Sequence, residues 1–282
     1  MSGRLDTTLV LRGLARSRTQ ARLLVQDGRV RVDGTLVDRP AAPVDPTQQV
    51  VVDEASPDAA SAWVTEGWVG RGALKLRHAL QVWGPCGLSV EGCRCLDVGA
   101  STGGFTQVLL THGAAHVVAL DVGHDQLHPD LLADPRVTDL SGTSIRDVVP
   151  DQVGSPVDVV VADLSFISLR TVLPELGALL ARDGEAVLLV KPQFEVGRTV
   201  LARDGVVRSA AQRQDVLRAV LATATEHRLT LHGIERSPVT GSHGNVEYLL
   251  WLRPRRSDMI GWGLTPEAIQ SRIRTLSEEE DP

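Results

Sequence analysis

Cysteine, aromatic residues and long apolar runs are all scarce in this sequence. The three cysteines, Cys86, Cys93 and Cys95, are too few for a disulfide framework and wrongly spaced for a four-ligand zinc site. Reduced, buried thiols and no resident metal are expected. No apolar run approaches the roughly 18 residues of a membrane span, which argues against an integral membrane role. The first residues, MSGRLDTTLV, lack a basic-then-apolar export signal, and with the thiols this points to a cytoplasmic protein. Internal repeats and long low-complexity stretches are also lacking. Five Trp, three Phe and one Tyr in 282 residues leave little for a base-stacking surface.

Charge is present, but unevenly. The net charge of −6 conceals a basic N-terminus: residues 1–32 hold seven arginines against two aspartates. The closing EEEDP is strongly acidic. A basic module on an acidic body suggests that the module meets a polyanion. Within it, Asp6 is placed to cap a helix stopped at Gly13, and Ser17 to cap a second stopped at Gly28. Asp33-Gly34 between two alternating runs predicts a type I′ hairpin, with a further strand in QQVVVDE. The small and polar stretch before residue 67, around Trp63, reads as a linker.

From residue 67 the pattern changes. Val/Leu-rich runs, RCLDVGA, HVVALD, VDVVVADL, AVLLVKP and VEYLLWL, alternate with helical stretches at 104–112, 169–181 and 210–227. That alternation predicts an α/β fold with a mostly parallel sheet covered on both faces. RSPVTGSHGN is placed to turn the chain so that the last strand returns antiparallel. A final helical piece, TPEAIQSRIRTL, carries no evident role.

LDVGASTGGF, residues 96–105, is a strand running through a glycine-rich turn into a helix. Besides a plain turn, it admits two sharper readings. Gly99-Ala100-Ser101-Thr102-Gly103 matches the G-x-S-x-G nucleophile elbow, with His243 downstream, but the strands and oxyanion segment that should precede it are missing. A nucleoside-cofactor loop instead expects an acid at the end of the next strand to hold ribose hydroxyls, and HVVALD ends on Asp121.

Four further polar residues fall at or near expected strand ends: Lys75 in GRGALKL, Asp163 in VVADLSF, Lys191 in LVKPQF and Glu247 in GNVEYLLW. In order and context they resemble the K-D-K-E tetrad of FtsJ-type ribose 2′-O-methyltransferases. The longer strings RLDTTLVLRGLARSR, CLDVGASTGGFT, GAAHVVALDVG, LVKPQFEVG and GNVEYLLWLR resemble the TlyA family more closely, and the resemblance runs over nearly all of residues 4–253. It departs in DLSGTSIRD, which falls between HVVALD and VDVVVADL and where Asp139 is the candidate for the adenine, and in the serine of SAWV in the linker.

This resemblance implies a small N-terminal α+β S4 RNA-binding domain at 1–58, a linker at 59–66, a Rossmann-like class I methyltransferase domain dependent on S-adenosylmethionine (SAM) at 67–255, and a tail at 256–282. It implies 2′-O-methylation of cytidines in ribosomal RNA of one or both subunits. Lys75, Asp163, Lys191 and Glu247 would be catalytic. Asp97, Gly99, Ala100, Ser101, Thr102, Gly103, Gly104, Phe105, Asp121, Val122, Asp163 and Leu164 would hold SAM. Arg4, Arg16, Arg18, Arg22, Arg29 and Arg31 would contact RNA phosphates through guanidinium geometry. The rival expectations are a pore-forming hemolysin, a name the family has also carried, and a non-catalytic S4 assembly protein.

The chemistry suits these residue types. A ribose hydroxyl is a poor nucleophile and needs a base or an oriented lone pair in line with the methyl group. Lys191 is the expected base. Burial, the neighbouring Lys75 and the sulfonium charge would lower its proton affinity, while nearby carboxylates would oppose that.

Overall fold

The computed structural model describes residues 3–15, 18–26, 29–37, 39–53, 66–197, 201, 205–241, 244–255 and 263–279. Arg16, Ser17, Gly28, Trp63 and His243 lie outside these, as does the expected linker apart from Glu66. The chain divides into two compact units, residues 1–66 and 67–282.

The first unit holds β1 (Gly3–Arg4), α1 (Leu5–Leu11), α2 (Arg18–Gln26), β2 (Val30–Val32), β3 (Thr35–Leu36), β4 (Pro43–Val44) and β5 (Val50–Val52). Strand β2 lies between β3 and β5, antiparallel to both. The hairpin joining β2 and β3 turns at Asp33 and Gly34, both with positive φ, as a type I′ turn requires. Leu5, Leu9, Ala21, Val25 and Val30 are fully buried and form the core. Asp6 does not cap α1: the N-cap is Arg4, and the Asp6 side chain, on the second residue of the helix, is buried among arginines.

The second unit begins with α3 (Gly72–Trp83) and continues as β6 (Arg94–Val98), α4 (Gly104–Thr111), β7 (His116–Asp121), α5 (Pro129–Leu132), β8 (Val137–Ser141), α6 (Pro150–Val153), β9 (Val157–Ala162), α7 (Leu169–Leu179), β10 (Leu180–Val190), α8 (Pro192–Glu195), α9 (Ala210–Glu226), β11 (Leu229–Arg236), β12 (Tyr248–Pro254) and α10 (Pro266–Glu278). The strands form one sheet in the order β8-β7-β6-β9-β10-β12-β11. Only β12 runs antiparallel to its neighbours β10 and β11, in agreement with the turn expected before it.

Alternation along the strands feeds two cores. Leu96, Val98, Val118 and Leu120 face one layer, with α7, α9 and α10; Cys95, Val117 and Ala119 face the other, with α3 and α4. The tail is therefore not an appendage. Ile273 and Leu276 of α10 are buried in the first layer, and Arg213 of α9 donates to the Ser277 carbonyl at 2.6 Å. Burying two such side chains contributes on the order of 3–6 kcal/mol.

Candidate active site

In a sheet of this kind the ligand crevice opens where the strand order reverses, outside the carboxyl ends of the strands. That point lies between β6 and β9, since β7 and β8 extend to one side of β6 and β9 and β10 to the other. Three loops emerge there: 99–103 after β6, 163–168 after β9 and 191–195 after β10. Register decides what they carry. Val98 pairs with Ala162, so Gly99 and Asp163 come next to each other. Val190 pairs with Tyr248 of the reversed strand, so Lys191 leaves one strand where Glu247 enters the other. An antiparallel strand presents its first residues at this edge, which is how Glu247 joins the set.

Lys75 arrives differently. It is not at a strand end but on the first turn of α3, where the spacing of Ala73, Leu76, Ala79, Leu80 and Trp83 buries one helical face. Its ammonium donates to Glu247 Oε2 at 2.7 Å and to Asp163 Oδ2 at 3.2 Å. The Lys191 ammonium lies 2.6 Å from Asp163 Oδ1 and donates to Ser165 Oγ at 2.9 Å. The four charges thus alternate in a chain, Glu247–Lys75–Asp163–Lys191. Burial pulls the Lys75 pKa down, but Asp163 and Glu247 outweigh it and leave it above the ordinary lysine value. Burial likewise raises Asp163, yet Lys191 and Lys75 hold it well below the usual carboxylate range. Lys75 and Glu247 are 4% and 2% exposed and Lys191 is 9% exposed; Lys191 ends this chain of charges beside the exposed Ser165, which is followed by a Phe166 that is 92% exposed.

The glycine loop approaches this chain from the other side. Gly99 has φ +83, and a Cβ on it would sit 2.7 Å from the Asp163 carbonyl oxygen, so only glycine permits the two loops to meet. Gly103 has φ +94, and a Cβ there would collide with Leu127 and Leu131. Ser101 adopts φ +49 and its amide donates to Asp121 Oδ2 at 2.8 Å; the Gly123 amide donates to Asp121 Oδ1 at 2.7 Å. Asp121 is thereby fixed at the crevice rim, with lone pairs left for hydroxyl donors. Val122 beside it is apolar and 71% exposed. Ala100 is buried, while Ser101 and Thr102 reach the surface. The Ser101 hydroxyl makes no hydrogen bond among the described residues; His243, the base of the nucleophile-elbow reading, lies outside them.

Asp97 is fully buried. Its Oδ2 accepts from Thr106 Oγ1 at 2.6 Å, and its Oδ1 has no partner among the described residues. Burial pushes its pKa up to about 7, against the Thr106 hydrogen bond. A buried acceptor without a donor, a loop that only glycine allows and a fixed acid at the next strand end together fit a nucleoside cofactor carrying an ammonium group. Phe105 departs from its expected place: its ring is 3% exposed and packed near Gly72, in the core between α3 and α4. Gly104 gives that contact room. Leu164 lies beside Gly99, packed on the first core layer. Asp139 is spent on its own turn, accepting from Ser141. Among the described residues no group of three or more His, Cys, Asp or Glu side chains could hold a metal.

Of the expected RNA contacts, three converge. Arg4, Arg18 and Arg22 lie 2.9, 3.5 and 3.2 Å from Asp6 Oδ2, each guanidinium about half exposed around a carboxylate that is not exposed at all. The Arg4 hydrogen bond above all holds the Asp6 carboxyl below its usual range, against burial. Arg29 is committed to the Asp53 carbonyl, and Arg31 to the Asp53 carboxylate at 2.8 Å. Arg16 lies outside the described residues.

Sequence reasoning missed Ser165 and Phe166. A signal was there: the chain has three phenylalanines, and all three fall in the site motifs, Phe105 in the glycine loop, Phe166 three residues after Asp163 and Phe194 three after Lys191.

Residues 68–254 match the FtsJ-like methyltransferase family, and residues 3–50 match the S4 domain. The 16S/23S rRNA (cytidine-2′-O)-methyltransferase TlyA of Mycobacterium tuberculosis is 50% identical over 250 residues, which is 89% of each chain. Hemolysin A of Brachyspira hyodysenteriae is 34% identical over 247 residues, 87% of this chain and 98% of that one. A solved structure with a hemolysin designation from Streptococcus thermophilus superimposes with a TM-score of 0.71 at 34% identity, over 98% of this chain and 94% of the other.

Proposed function

The chain belongs to the FtsJ-like methyltransferase family, in its TlyA group, and from that premise we propose that it transfers the methyl group of SAM to the ribose 2′-hydroxyl of cytidines in ribosomal RNA. The observation that carries this reading is the alternating charge chain at the sheet's switch point, which ends on Lys191 beside the exposed Ser165.

SAM, when bound, supplies an electrophilic methyl group on a sulfonium. Gly99, Ser101 and Gly103 shape the loop against which it would lie, Asp121 would take the ribose hydroxyls, Val122 would lie under the base, and Asp97 Oδ1 would accept from the ammonium. Lys191 then takes the proton of the target 2′-hydroxyl. Asp163 Oδ1, 2.6 Å from the amine, and Ser165, which accepts a hydrogen bond from it, hold the amine in place; in its neutral form the lone pair, not an N–H, would have to face the substrate. Lys75, clamped by Glu247, fixes the other oxygen of Asp163, so that the carboxylate cannot swing away from Lys191. The exposed ring of Phe166 offers a stacking face to an unstacked base next to that amine.

In the first unit, Arg4, Arg18 and Arg22 offer the guanidinium donors that Asp6 does not use to RNA phosphates. Incubation of isolated ribosomal subunits with methyl-labelled SAM, followed by mapping of the labelled nucleotides, tests the whole reading. Lys191→Met should abolish transfer and leave SAM binding intact; near-normal transfer by this variant would remove the base assignment. The hemolysin name belongs to relatives, and among the described residues no helix is long and apolar enough to cross a membrane. Leakage from liposomes on adding the protein would favour that alternative.

A further inference from the structure

Glu195 is a buried carboxylate to which the chemistry above gives no task. It closes α8, four residues beyond Lys191, and is 7% exposed. Its partners all come from the far end of the other loop. Oε2 accepts from Ser168 Oγ at 2.6 Å and from Arg170 Nε at 3.2 Å, and Oε1 accepts from the Leu169 amide at 2.6 Å. Arg170 Nη2 also donates to the Glu195 carbonyl at 3.2 Å.

These contacts replace an ordinary cap. Ser168 is the N-cap of α7, a position whose hydroxyl would usually accept from the helix's own first amides, yet it makes no such bond. It donates to Glu195 instead, and the carboxylate takes over the capping of α7 from 26 residues further along the chain. The two loops are consequently tied at three levels. Lys191 meets Asp163 and Ser165, the Phe194 ring lies 5.2 Å from that of Phe166, and Glu195 holds Ser168 to Arg170. Between the first tie and the last runs residue 166 with φ +66, a conformation that a phenylalanine keeps only where its surroundings impose it.

We infer that Glu195 is a positioning residue for methyl transfer, the latch that fixes loop 163–168 against Lys191. Without it the start of α7 loses its cap, and the loop bearing Asp163, Ser165 and Phe166 loses its fixed far end. Lys191 then keeps its amine but not its direction. The inference rests on the methyl-transfer reading, and the test separates the two.

Full-length protein is assayed for transfer of labelled methyl from SAM to isolated ribosomal subunits, beside its melting temperature. Glu195→Gln keeps an acceptor and removes the charge. It should lower kcat about 10-fold or more at temperatures where the protein remains folded, since displacement of reacting groups by an ångström is enough for such a loss. Thr265→Ala, which removes the cap of α10 away from the crevice, is the control for cap loss alone and should lower the melting temperature without lowering kcat. Ser168→Ala, a milder variant that deletes one Glu195 partner, should lower kcat in the same direction. In a Ser165→Ala background the Glu195→Gln effect should shrink by more than about threefold, because groups acting through one loop do not add. Equal effects of Glu195→Gln with and without Ser165, or a kcat as high as that of Thr265→Ala, would overturn the latch. No transfer by the wild-type protein would instead overturn the methyl-transfer reading itself.

Discussion

Replacing Lys75 by methionine tests how the charge chain is balanced. Wild type places two cations and two carboxylates in contact, and its innermost pair, Lys75 and Glu247, is 4% and 2% exposed with 2.7 Å between the charged atoms. Methionine matches the lysine stem in volume, so the substitution leaves packing nearly intact and removes one charge. Asp163 retains Lys191, but Glu247 loses the Lys75 ammonium and stays buried. Breaking a buried pair in this way costs about 3–5 kcal/mol, most of it the penalty of the stranded charge. Urea unfolding at neutral pH should therefore show a large loss for Lys75→Met. The double variant Lys75→Met/Glu247→Gln should recover most of that loss, because no bare carboxylate remains. Methyl transfer should stay low in both, since neither restores a cation on Asp163 Oδ2. A single variant as stable as wild type, or a double variant no more stable than the single one, would refute the reasoning.

Two further outcomes follow from other groups. Asp97 keeps its proton up to about pH 7 when folded and releases it near pH 4 when unfolded, so the apo protein should lose stability as pH rises between those values and level off above. Asp97→Asn should lack that decline, with a gap between the two curves reaching at most about 4 kcal/mol, and parallel curves in urea titrations from pH 4 to 8 would contradict the assignment. In the first unit, Arg18→Ala/Arg22→Ala should weaken binding to ribosomal subunits and reduce the salt slope by about 2 while SAM affinity is kept; unchanged binding would remove these arginines from the interface.

The central strands were legible because parallel strands buried on both faces must be almost wholly apolar, as Val159–Ala162 of β9 and Ala186–Val190 of β10 are. The two strands of this sheet that were not legible, β8 and β11, are its rims. There one side faces solvent, so VTDLS and LTLHGIER carry polar residues and no continuous run. Lys75 was read as a candidate site residue at or near a strand end, whereas it lies on α3, because GALKL is too short to separate a helical from a strand period without the residues after it. Phe105 looked like part of the cofactor loop since sequence adjacency does not say which way a ring points; the close approach of α3 at Gly72 draws it into the core.

By itself the sequence determined the chemistry that was possible: which residues could carry charge, where glycine would free the backbone, where a basic face would form, and which family the strings resemble. Those are properties of residue type and local spacing. The tertiary structure alone decided which charges meet. Lys75 and Glu247 are 172 residues apart in the chain, and Glu195 caps a helix that begins 26 residues before it. The turn at RSPVTGSHGN signals the reversal of the last strand, but the register that sets Lys191 against Glu247 and the packing that brings the loops together are written in no local stretch of residues.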